Sequence, residues 1–217
     1  MFKLERSLED QKATRKRQLA ESKQKLILDA ARAIFAEEGL ENASLRSIAN
    51  KAGYTPAALY FHFPSKEAIY EELLRTSLYC LGESVEKSSR KASSAAERFN
   101  DAAMAFFNYY VSHPSELDLG FYLFRGGMKP NGLDKLTDQE LNAALESSLR
   151  PLAKAAQEMG ADTSNANMSM VNIFAHATGL LLLLHTGRIR MFDASAEMLM
   201  HQYVVQEITR LAGDQRV

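Results

Sequence analysis

The sequence predicts an all-α fold in which a three-helix N-terminal head precedes a helical-bundle body. Three observations predict it. Apolar residues recur at three- and four-residue spacing along most of the chain. Those periodic segments open at serine or threonine and close at glycine or proline, the punctuation of helices. No alternating strand pattern, hairpin dipeptide or internal repeat competes. With 217 residues, 46% apolar and 24% charged, the chain has an ordinary globular balance and can bury a real core.

The head can be read element by element. ILDAARAIFAEEGLENAS, from Ile27, is a first helix with Gly39 as its C-cap. Ser44 caps a short second helix in which Leu45, Ile48, Ala49 and Ala52 recur at helical spacing, and Gly53 gives the turn after it backbone freedom. Thr55 caps the next helix, which begins at Pro56, a position where the missing N–H has no intrahelical partner to lose. Pro64 stops that helix at Phe63, and Ser65 caps a longer one running through Ile69, Leu73 and Leu74. Two short helices across a glycine turn, followed by a further helix start, have the wiring of a DNA-reading helix-turn-helix.

The whole run from Ile27 to Leu74 resembles the N-terminal domain of the TetR family of transcriptional repressors. The resemblance rests on ILDAARAIFAEEGLENAS, then LRSIANKAG, then ALYFHFPSKEAIYEELL, with Leu59, Tyr60, Phe63 and Lys66 where the family pattern has leucine, tyrosine, phenylalanine and lysine. It covers about the first third of the chain and fades afterwards, as in the family, whose C-terminal domains vary with ligand. It implies that Tyr60, His62 and Lys66 contact phosphate and that the body holds an effector pocket.

In a helix-turn-helix the second helix lies in the major groove with its N-terminal residues near base edges. Here that edge is Thr55, Pro56, Ala57 and Ala58, small enough to let the helix sit deep but unable to make a bidentate contact to a purine. Arg46, in the preceding helix, is the candidate for such a contact or for a phosphate clamp. Ser44 both caps its helix and can donate to phosphate. Lys12, Arg15, Lys16 and Arg17 form a basic arm suited to the adjacent minor groove or to simple solvation.

Charge is distributed to match. Residues 1–66 hold 12 Lys and Arg against 8 Asp and Glu, while the remainder holds 14 against 19, so a net charge of -1 hides a basic head on an acidic body. The single Cys80 allows no intramolecular disulfide, and the polar start MFKLERSLEDQKATRKR lacks the apolar core of a signal peptide, which together point to the cytoplasm. The most apolar segment, residues 171–186, carries Asn172, His176 and His185 and is too short to span a bilayer comfortably, so a buried helix and no membrane role are expected.

KSSRKASSAAE at 87–97 interrupts the periodicity. It divides the chain into a DNA-binding domain, residues 1–86, and a ligand-binding and dimerisation domain, residues 87–217. Stripes follow at Phe99 to Tyr110, ended by Pro114; at Leu117 to Phe124, ended by Gly126 and Gly127; and at Leu141 to Met159, with Pro151 as a kink. The last two helices are expected at Met168–Arg190 and Ala194–Ala212. GLLLLLH makes the first of these apolar all round, so one side packs on its own domain and the other on a second copy, giving a homodimer.

The body is rich in Phe, Tyr and Met. Phe106, Tyr110, Phe121, Phe124, Phe174 and His176 are the candidate ligand contacts, with Asn108, Asp118 and Arg125 as further polar groups. No cofactor, metal or catalytic role is expected, because the five histidines lack ligand spacing and there is no glycine-rich phosphate loop. The expected function is a ligand-responsive regulator of transcription, a repressor released from a palindromic DNA operator by a largely apolar small molecule. The alternative is a dimeric structural or nucleoid-associated DNA-binding factor acting through a protein partner.

Overall fold

The computed structural model describes residues 2–125 and 135–213, and among these residues every regular element is helical. The order is α1 Phe2–Asn42, α2 Leu45–Ala52, α3 Pro56–Tyr60, α4 Lys66–Ser89, α5 Ala95–Ser112, α6 Pro114–Arg125, α7 Lys135–Glu158, α8 Thr163–His185 and α9 Ala196–Gly213. A 3₁₀ turn, Arg188–Phe192, joins the last two. The loop GGMKPNG lies outside the described residues.

Helix α1 begins far upstream of Ile27. Between Phe2 and Glu38 the chain has no proline or glycine and is rich in Leu, Glu, Lys, Arg, Gln and Ala, so nothing breaks the helix. The basic cluster therefore rides on a helix and not on an extended arm; Arg15 is exposed, and the side chains of Lys12, Lys16 and Arg17 lie outside the described residues. The break comes at Gly39, whose φ of 75° is closed to most L side chains. It turns the chain so that Leu40 and Ala43 bury beneath α2 and α4.

Ser44 and Ser47 cap α2 reciprocally: the Ser47 N–H donates to Ser44 Oγ at 3.0 Å and the Ser44 N–H to Ser47 Oγ at 3.2 Å. Gly53, at φ 74°, ends it. Thr55 Oγ1 accepts from the Ala58 N–H at 3.2 Å, as a cap does. Helix α3 stops at Tyr60, three residues short of the expected end, because the His62 and Phe63 N–H groups both turn back to the Leu59 carbonyl at 2.9 Å. That tightening aims Phe63 into a core with Ile27, Ile34, Ile48, Leu59, Ile69 and Leu73.

Helix α4 belongs to both halves of the molecule. Its first turns pack against α1, and its later turns against α5 and α7. Helix α8 begins at Thr163, not Met168, because Asp162 accepts the Asn165 N–H at 2.7 Å. It ends at His185, not Arg190, because Gly187 adopts φ 71°. At 23 residues it is long enough to cross a bilayer, contrary to the estimate from its apolar run alone. It instead packs against α5, α7 and α9, and Arg210 of α9 donates to its Ser169 hydroxyl at 2.6 Å.

Helix α5 opens with a reciprocal cap in which the Glu97 N–H donates to Ser94 Oγ at 3.2 Å and the Glu97 carboxylate accepts from the Ser94 N–H at 3.1 Å. Ser94→Ala should lower stability by about 1 kcal/mol in a urea titration at neutral pH. The Ser93 hydroxyl, then the Ser93 and Ser94 N–H groups, hold the Glu97 carboxyl below its ordinary value of 4.5. Its contribution is therefore present above pH 4.5 and is lost as pH falls through the lower folded value, so replacing Glu97 should cost less in acid than at neutrality.

Candidate functional site

The exposed edge of the head is built from α2, α3 and the start of α4. Capping fixes where α3 begins, and the burial of Leu59 and Phe63 fixes which side faces outward. On that side Thr55 and Ala57 are exposed, while Pro56 and Ala58 are half-buried. Tyr60 and His62 are exposed, and Arg46 of α2 is exposed with no intramolecular partner among the described residues. Ser44 stands at the edge with its oxygen engaged in the cap.

Two features differ from the sequence reading. Lys66 reaches back across the head, its ammonium donating to the carbonyls of Leu40 at 2.8 Å and Ala43 at 3.1 Å. In the free protein it clasps the end of α1. Phe61 was not singled out, yet it is 91% exposed, the most exposed large apolar side chain of the described residues. The signal was present, since Phe61 lies two residues from both Leu59 and Phe63 and so falls off the buried stripe. Together these residues make a protruding edge of hydroxyl, imidazole, guanidinium and aromatic groups around small side chains, suited to a phosphate-lined groove.

The body encloses a cavity of about 350 Å³. Five helices each give it one face at helical spacing: Leu74 and Leu78 from α4, Phe106 and Tyr110 from α5, Leu117 and Gly120 from α6, Leu141 and Leu145 from α7, Phe174, Thr178 and Leu181 from α8. Phe106, Tyr110 and Phe174 are thus brought together, their rings meeting edge to face at 5.3 and 5.9 Å. The side chains of Phe121 and Phe124 lie outside the described residues. His176 does not join the cavity. It stacks on Tyr203 of α9 at 3.9 Å, and burial pushes its imidazole below the ordinary value, partly offset by a hydrogen bond with the Leu199 backbone.

The other polar candidates also lie elsewhere. Asn108 is exposed on α5, Arg125 has no described side chain, and Asp118 sits in a small cleft with Arg32, Phe35, Tyr70 and Leu119. That cleft marks the joint between head and body. Glu116 of α6 is buried and pairs with Arg32 of α1. One turn on, the Leu119 carbonyl accepts the Tyr70 hydroxyl of α4 at 2.6 Å. The short helix α6 therefore lines the cavity with Leu117 and Gly120 while gripping the head with Glu116 and Leu119.

A third surface is apolar and open. Met168, Val171 and Leu182 of α8, with Met198 and Val205 of α9, are all exposed. Helix α8 is thus not covered on both sides within one chain.

A sequence profile described as bacterial regulatory proteins, tetR family, matches residues 27–73. The transcriptional repressor KstR2 of Mycobacterium tuberculosis is 35% identical over 91 residues, 42% of this chain and 46% of that protein. The transcriptional regulator UidR of Escherichia coli is 44% identical over 48 residues, 22% of this chain and 24% of its own. The matches span less than half the length of these curated relatives. Over the fold, a crystal structure of a tetR-family regulatory protein from Rhodococcus RHA1 superposes with a TM-score of 0.68, at 15% identity, covering 87% of this chain and 96% of that one. The caps and glycine turn described above fall inside the matched segment, so the head of this chain is similar to the DNA-binding part of tetR-family bacterial regulatory proteins, and the fold as a whole is shared with a member of that family.

Proposed function

We propose that this chain is a ligand-responsive, DNA-binding regulator of transcription, a repressor that acts in the cytoplasm and binds a palindromic operator as a dimer. One observation carries the reading: α4 starts beside the exposed recognition edge and, two turns later, lines the apolar cavity with Leu74 and Leu78. A DNA-facing surface and a ligand-sized space share one rigid element. The division at residues 86 and 87 into a DNA-binding and a ligand-binding, dimerising half is part of this proposal, with α4 as the member common to both.

The dimer is drawn from the open apolar face of α8 and α9. Two such faces packed together form a four-helix seam, which accounts for a helix apolar all round. Two heads at about 34–36 Å then enter successive major grooves. Ligand in the cavity presses on Leu117 and Gly120, and α6 passes that displacement to α1 through Glu116 and Arg32 and to α4 through Leu119 and Tyr70. A ligand that fits one head spacing better than the other shifts the population between them.

Against an operator selected from random duplexes, Arg46→Ala is expected to cost about 1–3 kcal/mol and to relax preference at one position. Tyr60→Phe is expected to weaken selected and random DNA by similar factors, the mark of a phosphate contact. Equal losses on both DNAs would assign Arg46 to phosphate as well. Leu182→Arg should yield monomer in sedimentation velocity and lose operator binding with it, whereas a wild-type chain that stays monomeric at micromolar concentration would remove the two-groove reading. For the joint, a double-mutant cycle on Arg32→Gln and Glu116→Gln, read in operator affinity, should give a coupling of about 0.5–3 kcal/mol although neither residue belongs to the recognition edge. Strict additivity would take α6 out of the pathway.

A further inference from the structure

Tyr110 brings to the cavity a polar group that no described residue satisfies. Tyr110 lines it, is only 5% exposed, and its ring is held edge to face by Phe106 at 5.3 Å and Tyr109 at 5.4 Å. Its hydroxyl makes no hydrogen bond to any described residue. The neighbouring tyrosines provide the contrast, since the Tyr70 hydroxyl donates to the Leu119 carbonyl and the Tyr109 hydroxyl to the Ser77 carbonyl. Of these three tyrosines, the one that lines the cavity is the one whose hydroxyl has no partner among the described residues. A hydroxyl on a largely buried ring, with no protein partner among the described residues and beside an apolar cavity, is a specificity element for whatever fills the space.

We propose that Tyr110 is the polar anchor of the effector site, donating its hydroxyl hydrogen to a single neutral acceptor, a ketone or similar carbonyl, on an otherwise apolar ligand. This rests on the effector reading above and narrows it to a chemical class. The donor role follows from burial, which pushes the phenol well above its ordinary value and keeps it protonated. Neutrality follows from the lining. Among the described lining residues the other polar side chains are Asn142 and Thr178 and none is charged, so a carboxylate would give up its hydration without a cation from these residues to meet it. A volume of about 350 Å³ sits at the small end of ligand pockets, which favours a compact molecule.

The test uses the full chain and defined probes: decan-2-one and 4-phenylcyclohexanone, their parent hydrocarbons decane and phenylcyclohexane, and decanoate. Equilibrium dialysis should show at least one ketone binding more tightly than its hydrocarbon and than decanoate. Tyr110→Phe keeps the ring packing and should remove that advantage, weakening the ketone about five- to tenfold while leaving the hydrocarbon nearly unchanged. Tyr109→Phe, which removes a hydroxyl that donates to the Ser77 carbonyl and does not line the cavity, should leave the advantage in place. A ketone preference that survives Tyr110→Phe, a preference for decanoate, or no ketone retained by the wild-type chain would overturn the inference. Operator affinity measured with the same probes separates the two claims. Ketone binding that depends on Tyr110 but leaves DNA affinity unchanged would keep the anchor and remove the effector reading; release by probes indifferent to Tyr110 would do the reverse.

Discussion

The molecule depends on α4 being one uninterrupted helix. Its 24 residues carry no proline, its single glycine, Gly82, falls well inside the body, and Ser65 caps its start by accepting the Ala68 N–H at 3.1 Å. Its N-terminal third supplies Ile69, Tyr70 and Leu73 to the head core, and Leu78, Leu81 and Val85 continue into the body. Because an α-helix bends little over such a length, the exposed edge of the head cannot be reoriented without disturbing whatever packs on the later turns. Head and body are distinguishable in sequence but mechanically joined.

Helix α6 makes that joint selective. It buries a carboxylate, Glu116, against Arg32, an arrangement in which desolvation opposes the charge attraction and which geometry must hold together. One Glu116 oxygen has no hydrogen-bond partner among the described residues. The pair ties α6 to α1 at one point, beside the Tyr70–Leu119 hydrogen bond that ties it to α4. The same helix exposes Leu117 and Gly120 to the cavity, so one element both lines the cavity and contacts the head.

The head was legible because its signals are local. Ser44, Thr55 and Ser65 are caps, Gly53 and Pro64 are breaks, and each acts within a few residues of itself. What sequence reasoning missed there depends on distance: Lys66 reaches carbonyls more than twenty residues away, and no local pattern announces that. The start of α1 was missed for a different reason, since a polar helix without an apolar stripe carries no periodicity to read. In the body, the stripes located the helices, and Phe106, Tyr110 and Phe174 do meet at the cavity. His176 looked equivalent to them, but it lies two residues from Phe174, on the side of α8 that meets Tyr203. Periodicity tells which residues are inside a bundle; it does not tell which interior space they face.

The central claim, that cavity occupancy and head position are one equilibrium, is tested most directly by the distance between the two heads. Asn50 is exposed on α2, and a spin label at Asn50→Cys in a Cys80→Ser background would give one symmetric pair in the proposed dimer. Electron–electron double resonance should return one distance distribution on operator DNA and a displaced one when a ketone probe occupies the cavity, with the displacement abolished by Glu116→Gln. A probe that demonstrably binds while the head-to-head distance stays unchanged would contradict the account.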